Sequence, residues 1–136
     1  MCKYQQKSPR ENEENMKREL QDKLYKKYPK ILKEASLPVG DGWYKIMDEL
    51  CNKIQNHIKR NKLKHIRVVQ IKEKFGGLRF YINESSEEIY EYVYKAEEES
   101  LVTCEECGSK DRVKQIRGDW IATLCYKCAE ERNEKQ

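Results

Sequence analysis

Cys104-Glu105-Glu106-Cys107, then seventeen residues, then Cys125-Tyr126-Lys127-Cys128: two Cys-x2-Cys pairs a hairpin's length apart decide how the C-terminal part of this chain folds. Each short spacing lets two thiolates converge on one ion, and the intervening chain brings the second pair back. That is what a tetrahedral four-thiolate zinc site needs. The alternatives are a disulfide pair or a redox Cys-x2-Cys of thioredoxin type. The redox motif stands singly at the start of a helix in a βαβ setting, not doubled across a hairpin. The expected cofactor is one structural Zn²⁺ held by Cys104, Cys107, Cys125 and Cys128. Four thiolates leave no open coordination position, so the ion would shape the fold rather than do chemistry.

Between the two pairs, Val113–Ile116 and Trp120–Leu124 read as short strands around Gly118-Asp119, and Gly108 suits the tight knuckle turn. These features define a zinc ribbon over 102–130, with a tail over 131–136. Upstream, Ser85-Ser86-Glu87-Glu88 resembles a capping box opening a helix. Its buried side is marked by Ile89, Val93 and Ala96, flanked by Tyr90, Tyr94 and a run of glutamates. Before it, Ile66 to Asn83 reads as a β-hairpin with Gly76-Gly77 as a two-residue mirror-type turn. That turn sets Phe75 opposite Leu78, Glu73 opposite Phe80 and Ile71 opposite Ile82. The strand period of two then gathers Val69, Ile71, Phe75, Leu78, Phe80 and Ile82 on an apolar face. Gln70, Lys72, Lys74, Arg79 and Tyr81 fall on the other. Ile66 and Val68 are out of phase with this set, which predicts burial on both sides or a bulge at the strand start.

Further back, Trp43, Ile46, Met47, Leu50, Ile54 and Ile58 form the strongest helical stripe, with Asp41 as its expected cap. Cys51 lies beside that stripe and reads as a buried, inert thiol. Met16, Leu20, Leu24 and Tyr28 recur every four residues as another helix, which Pro29 ends or restarts, and Ile31 and Leu32 pack as an extra turn. Residues 1–15 are polar and aperiodic, a mobile tail. The whole is an α+β fold: a core over 16–101 of two helices, a hairpin and a Glu-rich helix, followed by the ribbon.

The chain has 136 residues, 38% charged and 38% hydrophobic, a lean supply for one core, so a metal staple helps. Its net charge of +4 is too small to declare a nucleic-acid binder, but the charge is unevenly spread. Eight Lys and Arg against one acid lie between Lys59 and Arg79, and nine Glu against one Lys lie between Asn83 and Glu106. No apolar run has the length of a membrane span, no signal-peptide core opens the chain, and the cysteine spacing is of metal type. Together these place the protein in a reducing cytoplasm.

A catalytic reading finds little to work with. His57 and His65 sit beside lysines at a helix end and in the following turn, where an exposed or weakly packed role is expected. The carboxylates cluster as a solvated helical run. The expectation is a protein that is not an enzyme. Lys72, Lys74, Arg79 and Tyr81 combine phosphate-seeking cations with a stacking ring, the ingredients of nucleic-acid or nucleotide binding. Tyr90 and Tyr94 are candidate anchors for a protein partner instead.

The order of motifs also resembles a group of short uncharacterised proteins of tailed phages and prophages. The resemblance rests on Lys27-Tyr28-Pro29-Lys30, on Gly40-Asp41-Gly42-Trp43-Tyr44 running into Asp48-Glu49-Leu50-Cys51, and on Val69 to Tyr81. It continues through the Cys104-Glu105-x-Cys107-Gly108 knuckle and Trp120-Ile121-Ala122-Thr123-Leu124-Cys125, covering about residues 20 to 130. It implies a phage accessory protein in the cytoplasm of a bacterial host cell and brings no established activity; by analogy with other small non-enzymatic phage proteins, the expected role is to bind and modulate a host protein, antiviral defence machinery among the candidates. It implies no catalytic residues.

Overall fold

The computed structural model describes residues 16–33, 35–84 and 86–135, with side chains as far as 132. The tail expected over 1–15 and Ser85 of the expected capping box lie outside them. The four-residue recurrence from Met16 forms helix α1, Arg18–Lys27, with Met16, Leu24 and Tyr28 buried. Pro29 restarts the chain as the first residue of α2, Pro29–Leu32, where its missing N–H leaves no helical bond unmade. Ile31 and Leu32 are buried there.

A 3₁₀ turn, Asp41–Trp43, leads into α3, Tyr44–Asn61. The apolar stripe is buried through Trp43, Ile46, Met47, Leu50 and Ile54, with Cys51 inside it and Ile58 half-buried. Asp41 does not cap this helix. The 3₁₀ turn separates it from the first free N–H groups of α3, and its Oδ1 accepts from the Lys17 N–H at 2.8 Å, at the entrance to α1.

The hairpin consists of β1, Val68–Lys74, and antiparallel β2, Gly77–Ile82. Its turn is one residue earlier than expected: Phe75 and Gly76 occupy it, both with positive φ (55° and 85°), as a mirror-type turn demands. Lys74 therefore faces Gly77, Glu73 faces Leu78, and Ile71 faces Phe80. This register sets two core side chains opposite each other and lets Glu73 accept from the Gly76 N–H at 2.6 Å. The inner face holds Ile71, Leu78 and Phe80 as expected, but Phe75 turns outward and is 67% exposed. The strand start is bulged: the pairing steps from Val68↔Ile82 to Gln70↔Tyr81, so Val68 is buried and Val69, expected on the apolar face, is 56% exposed.

Helix α4, Glu87–Ser100, is capped by the Ser86 Oγ, which accepts from the Ile89 N–H at 3.2 Å. With Ser86 as cap, the third helical position is Ile89 and not an acid, so the expected reciprocal box is replaced by a single-residue cap. The helix runs along the free edge of β2. Ser100 Oγ accepts from the Leu78 N–H at 2.9 Å and Glu97 Oε2 from the Phe80 N–H at 3.0 Å, which closes an edge otherwise open to pairing.

The C-terminal unit has strands β3, Lys114–Ile116, and β4, Ala122–Leu124, paired antiparallel, then helix α5, Tyr126–Lys135. The tail expected from 131 is thus helical as far as Lys135, because Ala129 to Lys135 contains no breaker after the helix starts at the second knuckle. Among the described residues the fold is α+β with five α-helices. Its apolar side chains form two clusters, one from Met16 to Ala96 and a smaller one around Cys104, Ala122, Leu124, Cys125 and Cys128. No helix among them is long and apolar enough to cross a membrane.

Candidate metal centre

Turn chemistry assembles the site. Cys104 and Cys107 flank a tight turn in which the Gly108 N–H donates to the Cys104 carbonyl at 2.9 Å, with Gly108 at φ +83°. The second pair enters α5, where the Cys128 N–H points at Cys125 Sγ, 3.4 Å away. The β3–β4 hairpin folds one pair onto the other. All four Sγ atoms lie within 4.8 Å of one another, and those of Cys107 and Cys125 are 3.6 Å apart. Thiolates about 2.3 Å from a tetrahedral ion would stand about 3.8 Å from each other, so this cluster can hold one metal ion. Cys104, Cys125 and Cys128 are buried and Cys107 is exposed, which leaves a path for an ion to enter.

The thiols do not titrate alike. Burial pushes Cys107 and Cys128 up, and neighbouring thiols add to the rise at Cys128. Burial works in the same direction at Cys125, but the Cys128 N–H and the surrounding thiol donors outweigh it and bring Cys125 below its ordinary value. A bound cation would favour the thiolate form of all four.

The cluster is seated on the rest of the protein by groups that sequence patterns do not single out. Trp43, fully buried, donates its Nε1–H to the Thr103 carbonyl at 3.0 Å. The Gly42 N–H donates to the Glu105 carbonyl at 2.9 Å. A Cβ on Gly42 would stand 2.1 Å from the Cys104 carbonyl oxygen, and one on Gly40 equally close to that of Glu105. Glu105 is 2% exposed: its backbone N–H donates to the Thr123 carbonyl at 3.0 Å, and its Oε2 accepts from the Thr123 N–H at 2.7 Å. Thr123 in turn donates its hydroxyl to the Gly76 carbonyl at the hairpin tip. The Gly-Asp-Gly-Trp loop and the Phe-Gly-Gly turn thus both dock onto the cysteine unit. The Gly-x-Gly-Trp pattern was the available signal for such close backbone approach. Nothing in the sequence separates Glu105 from the other glutamates of its run.

The other candidate residues lie away from the cysteines. Lys72 and Arg79 face each other across the strands on the outer hairpin face, with Lys72 Nζ 5.8 Å from the Tyr81 ring centroid. Among the described residues, none of Lys72, Lys74 and Arg79 is ion-paired with the acidic helix beside it; the pairs there are Lys95–Glu91 and Lys110–Glu99. Tyr90 and Tyr94 are 69% and 54% exposed on α4. His57 differs from expectation. It is buried, with Nε2 3.2 Å from Ser86 Oγ, Nδ1 3.3 Å from Asn61 Nδ2 and its ring edge-on to Tyr92. Helix α4 packing across the end of α3 covers it, which residue order alone did not reveal. His65 is exposed in the following turn, as expected.

Compared with family models, with curated proteins and with solved structures, the chain matches none.

Proposed function

We propose that this is a non-enzymatic accessory protein of phage type, stapled by one structural Zn²⁺, that acts in the bacterial cytoplasm by binding and modulating a host protein, antiviral defence machinery being a candidate target. The observation that carries the binding reading is the pair Tyr90 and Tyr94, one helical turn apart and both more than half exposed on α4. Large amphipathic rings in solvent on a rigid helix are what interface anchors look like before the partner arrives. Four thiolates without an open position support a structural ion, and both ring nitrogens of His57 are engaged by neighbours. The phage setting rests on the motif resemblance.

The test is affinity purification from a bacterial host, with metal and nucleic acid assayed in the same sample. A defined host protein should co-purify in stoichiometric amount. Tyr90→Ala or Tyr94→Ala should weaken that complex by about 2 kcal/mol. Capture unchanged by both substitutions would sink the assignment of this surface.

A second reading, nucleic-acid or nucleotide binding, has its own observation: the facing Lys72 and Arg79 beside Tyr81 and Lys74. It expects oligonucleotide affinity that falls steeply with salt and vanishes when Lys72, Lys74 and Arg79 are all replaced by alanine. Sub-micromolar, sequence-independent binding at about 150 mM salt, lost in that variant, would favour this reading over the first.

A further inference from the structure

The bulge at the start of β1 decides where the cations of this region stand. Counting back by twos from the buried Ile71, strict alternation would turn Val69 and Arg67 into the core. With the extra residue, Val68 points inward instead, 5% exposed, while Arg67, Val69 and Gln70 are all exposed. Arg67 is thereby brought onto the outer face with Lys72 and Lys74. Asn83 fixes it there: its Oδ1 accepts from the Arg67 N–H at 2.9 Å, its N–H donates to the Arg67 carbonyl at 3.1 Å, and its Nδ2 donates to the His65 carbonyl at 2.6 Å. Lys62 and Lys64 are exposed in the same loop, so the row of cations runs from the hairpin tip to the end of α3. Its strand part alone is about 20 Å long.

The row carries rings as well as charge. Phe75 at its tip is 67% exposed and Tyr81 44% exposed, each with a lysine ammonium near its ring, Lys74 at 5.6 Å and Lys72 at 5.8 Å. Phe75 holds its ring outward at φ +55°, a strained choice for a bulky residue that folding does not explain. Lys72 and Arg79 face each other as like charges, and among the described residues no cation of the row is ion-paired. The nearby acids are engaged elsewhere. Glu73 accepts from the Gly76 N–H, Glu97 from the Phe80 N–H, Glu99 pairs with Lys110 at 2.8 Å, and Glu98 lies against the Tyr94 hydroxyl.

We propose that the outer hairpin face and the loop before it form a track for single-stranded nucleic acid, with phosphates along the row from Lys62 to Lys74 and bases stacked on Phe75 and Tyr81. Cations on one face of a strand recur about every 6.6 Å, a spacing that an extended, flexible backbone can follow. A duplex offers phosphates but keeps its bases stacked on each other, away from the rings. An acidic peptide would satisfy the cations and leave both rings bare. The proposal rests on the second reading above and adds to it the single-stranded form of the ligand, Lys64, Arg67 and Phe75. No residue of α4 takes part, so Tyr90 and Tyr94 stay available to a protein partner.

Fluorescence anisotropy of the full metal-loaded protein tests it, with labelled oligothymidylate and oligouridylate of about 20 nucleotides and a DNA duplex of equal length. At least one of the single strands should bind at least about tenfold tighter than the duplex at about 150 mM salt. Lys64→Ala with Arg67→Ala should weaken that binding at least about fivefold. It should also flatten the slope of log affinity against log salt by about 1.4, two phosphate contacts at about 0.7 each. Phe75→Asn should weaken single-strand binding at least about fivefold while leaving the salt slope and the duplex affinity unchanged, which separates a lost stacking ring from lost charge or lost fold. Single strands bound no tighter than the duplex, or either variant binding like wild type, overturns the track. So does poly-glutamate that displaces the strand at equal charge, since the cations would then take an acidic polypeptide. If binding is nevertheless lost when Lys72, Lys74 and Arg79 are replaced, the second reading stands and only the track is removed. No binding of any oligonucleotide at about 100 μM protein removes both.

Discussion

Asp48 shows how one carboxylate joins two helices. It accepts from the Tyr28 hydroxyl at 2.7 Å and from the Lys27 ammonium at 3.0 Å, so the end of α1 is tied to the second turn of α3. Cys51, one turn further along α3, is fully buried, and burial together with the Asp48 charge pushes its thiol from 9.0 up to about 12. Burial and the Asp48 hydrogen bond push the Tyr28 phenol up as well. Both groups hold their protons more tightly folded than unfolded. Their contribution is therefore complete below about pH 9 and drains away as pH rises toward the folded value. Urea midpoints should fall between pH 8 and about pH 10.5, and the fall should be smaller in Cys51→Ala. An identical fall in that variant would show that the buried thiol is not its source. In the folded, metal-loaded chain Cys51 should also resist alkylation until denaturant is added, with mass spectrometry locating the label.

The hairpin depends on its turn and on the treatment of its two edges. Phe75 adopts φ +55° at the first turn position, a conformation a bulky residue disfavours and asparagine accepts. Phe75→Asn should raise stability by about 0.5–1 kcal/mol, since the ring is exposed and gives up only a contact with the Lys74 ammonium 5.6 Å away among the described residues. A loss of more than about 1 kcal/mol in thermal or urea unfolding would mean that the ring is bound to something in solution. Phe80→Ala, by contrast, deletes a buried ring opposite Ile71 and should cost about 3–5 kcal/mol. Of the two edges, β2 is closed by Ser100 and Glu97 of α4, while β1 relies on its bulge at Val69 and on Lys72 and Lys74. Period-two alternation was enough to read Ile71, Leu78 and Phe80 as inner residues, but it misplaced Val69, beside the bulge, and Phe75, in the turn. The turn position was not legible, because Phe75-Gly76 and Gly76-Gly77 both supply a glycine and differ only in which core residues they set opposite each other. The cysteine unit was legible through its spacing alone. The burial of His57 and Glu105 was not, since it follows from helices and loops arriving from 29 and 18 residues away.

At the scale of the whole molecule, the cysteine cluster is bonded to the main core from two sides. Trp43 and Gly42 bond to Thr103 and Glu105 on one side, and Thr123 bonds to the hairpin tip at Gly76 on the other. Affinity for an ion held by the four cysteines would therefore become folding free energy for α3 and the hairpin as well as for the ribbon. Chelation, or serine at any of the four cysteines, should alter the emission of Trp43, measured in a Trp120→Phe background. It should also lower the unfolding temperature of the whole chain in a single transition. The same coupling should run in reverse. Gly42→Ala drives a Cβ against the Cys104 carbonyl and the Gly108 nitrogen, both backbone, so neither can rotate away. It should cost at least about 2 kcal/mol and, although it removes no ligand, weaken metal binding in competition with a chromogenic chelator. If Gly42→Ala destabilises the chain while its metal affinity equals that of wild type, the two clusters fold independently and the seam is only a contact.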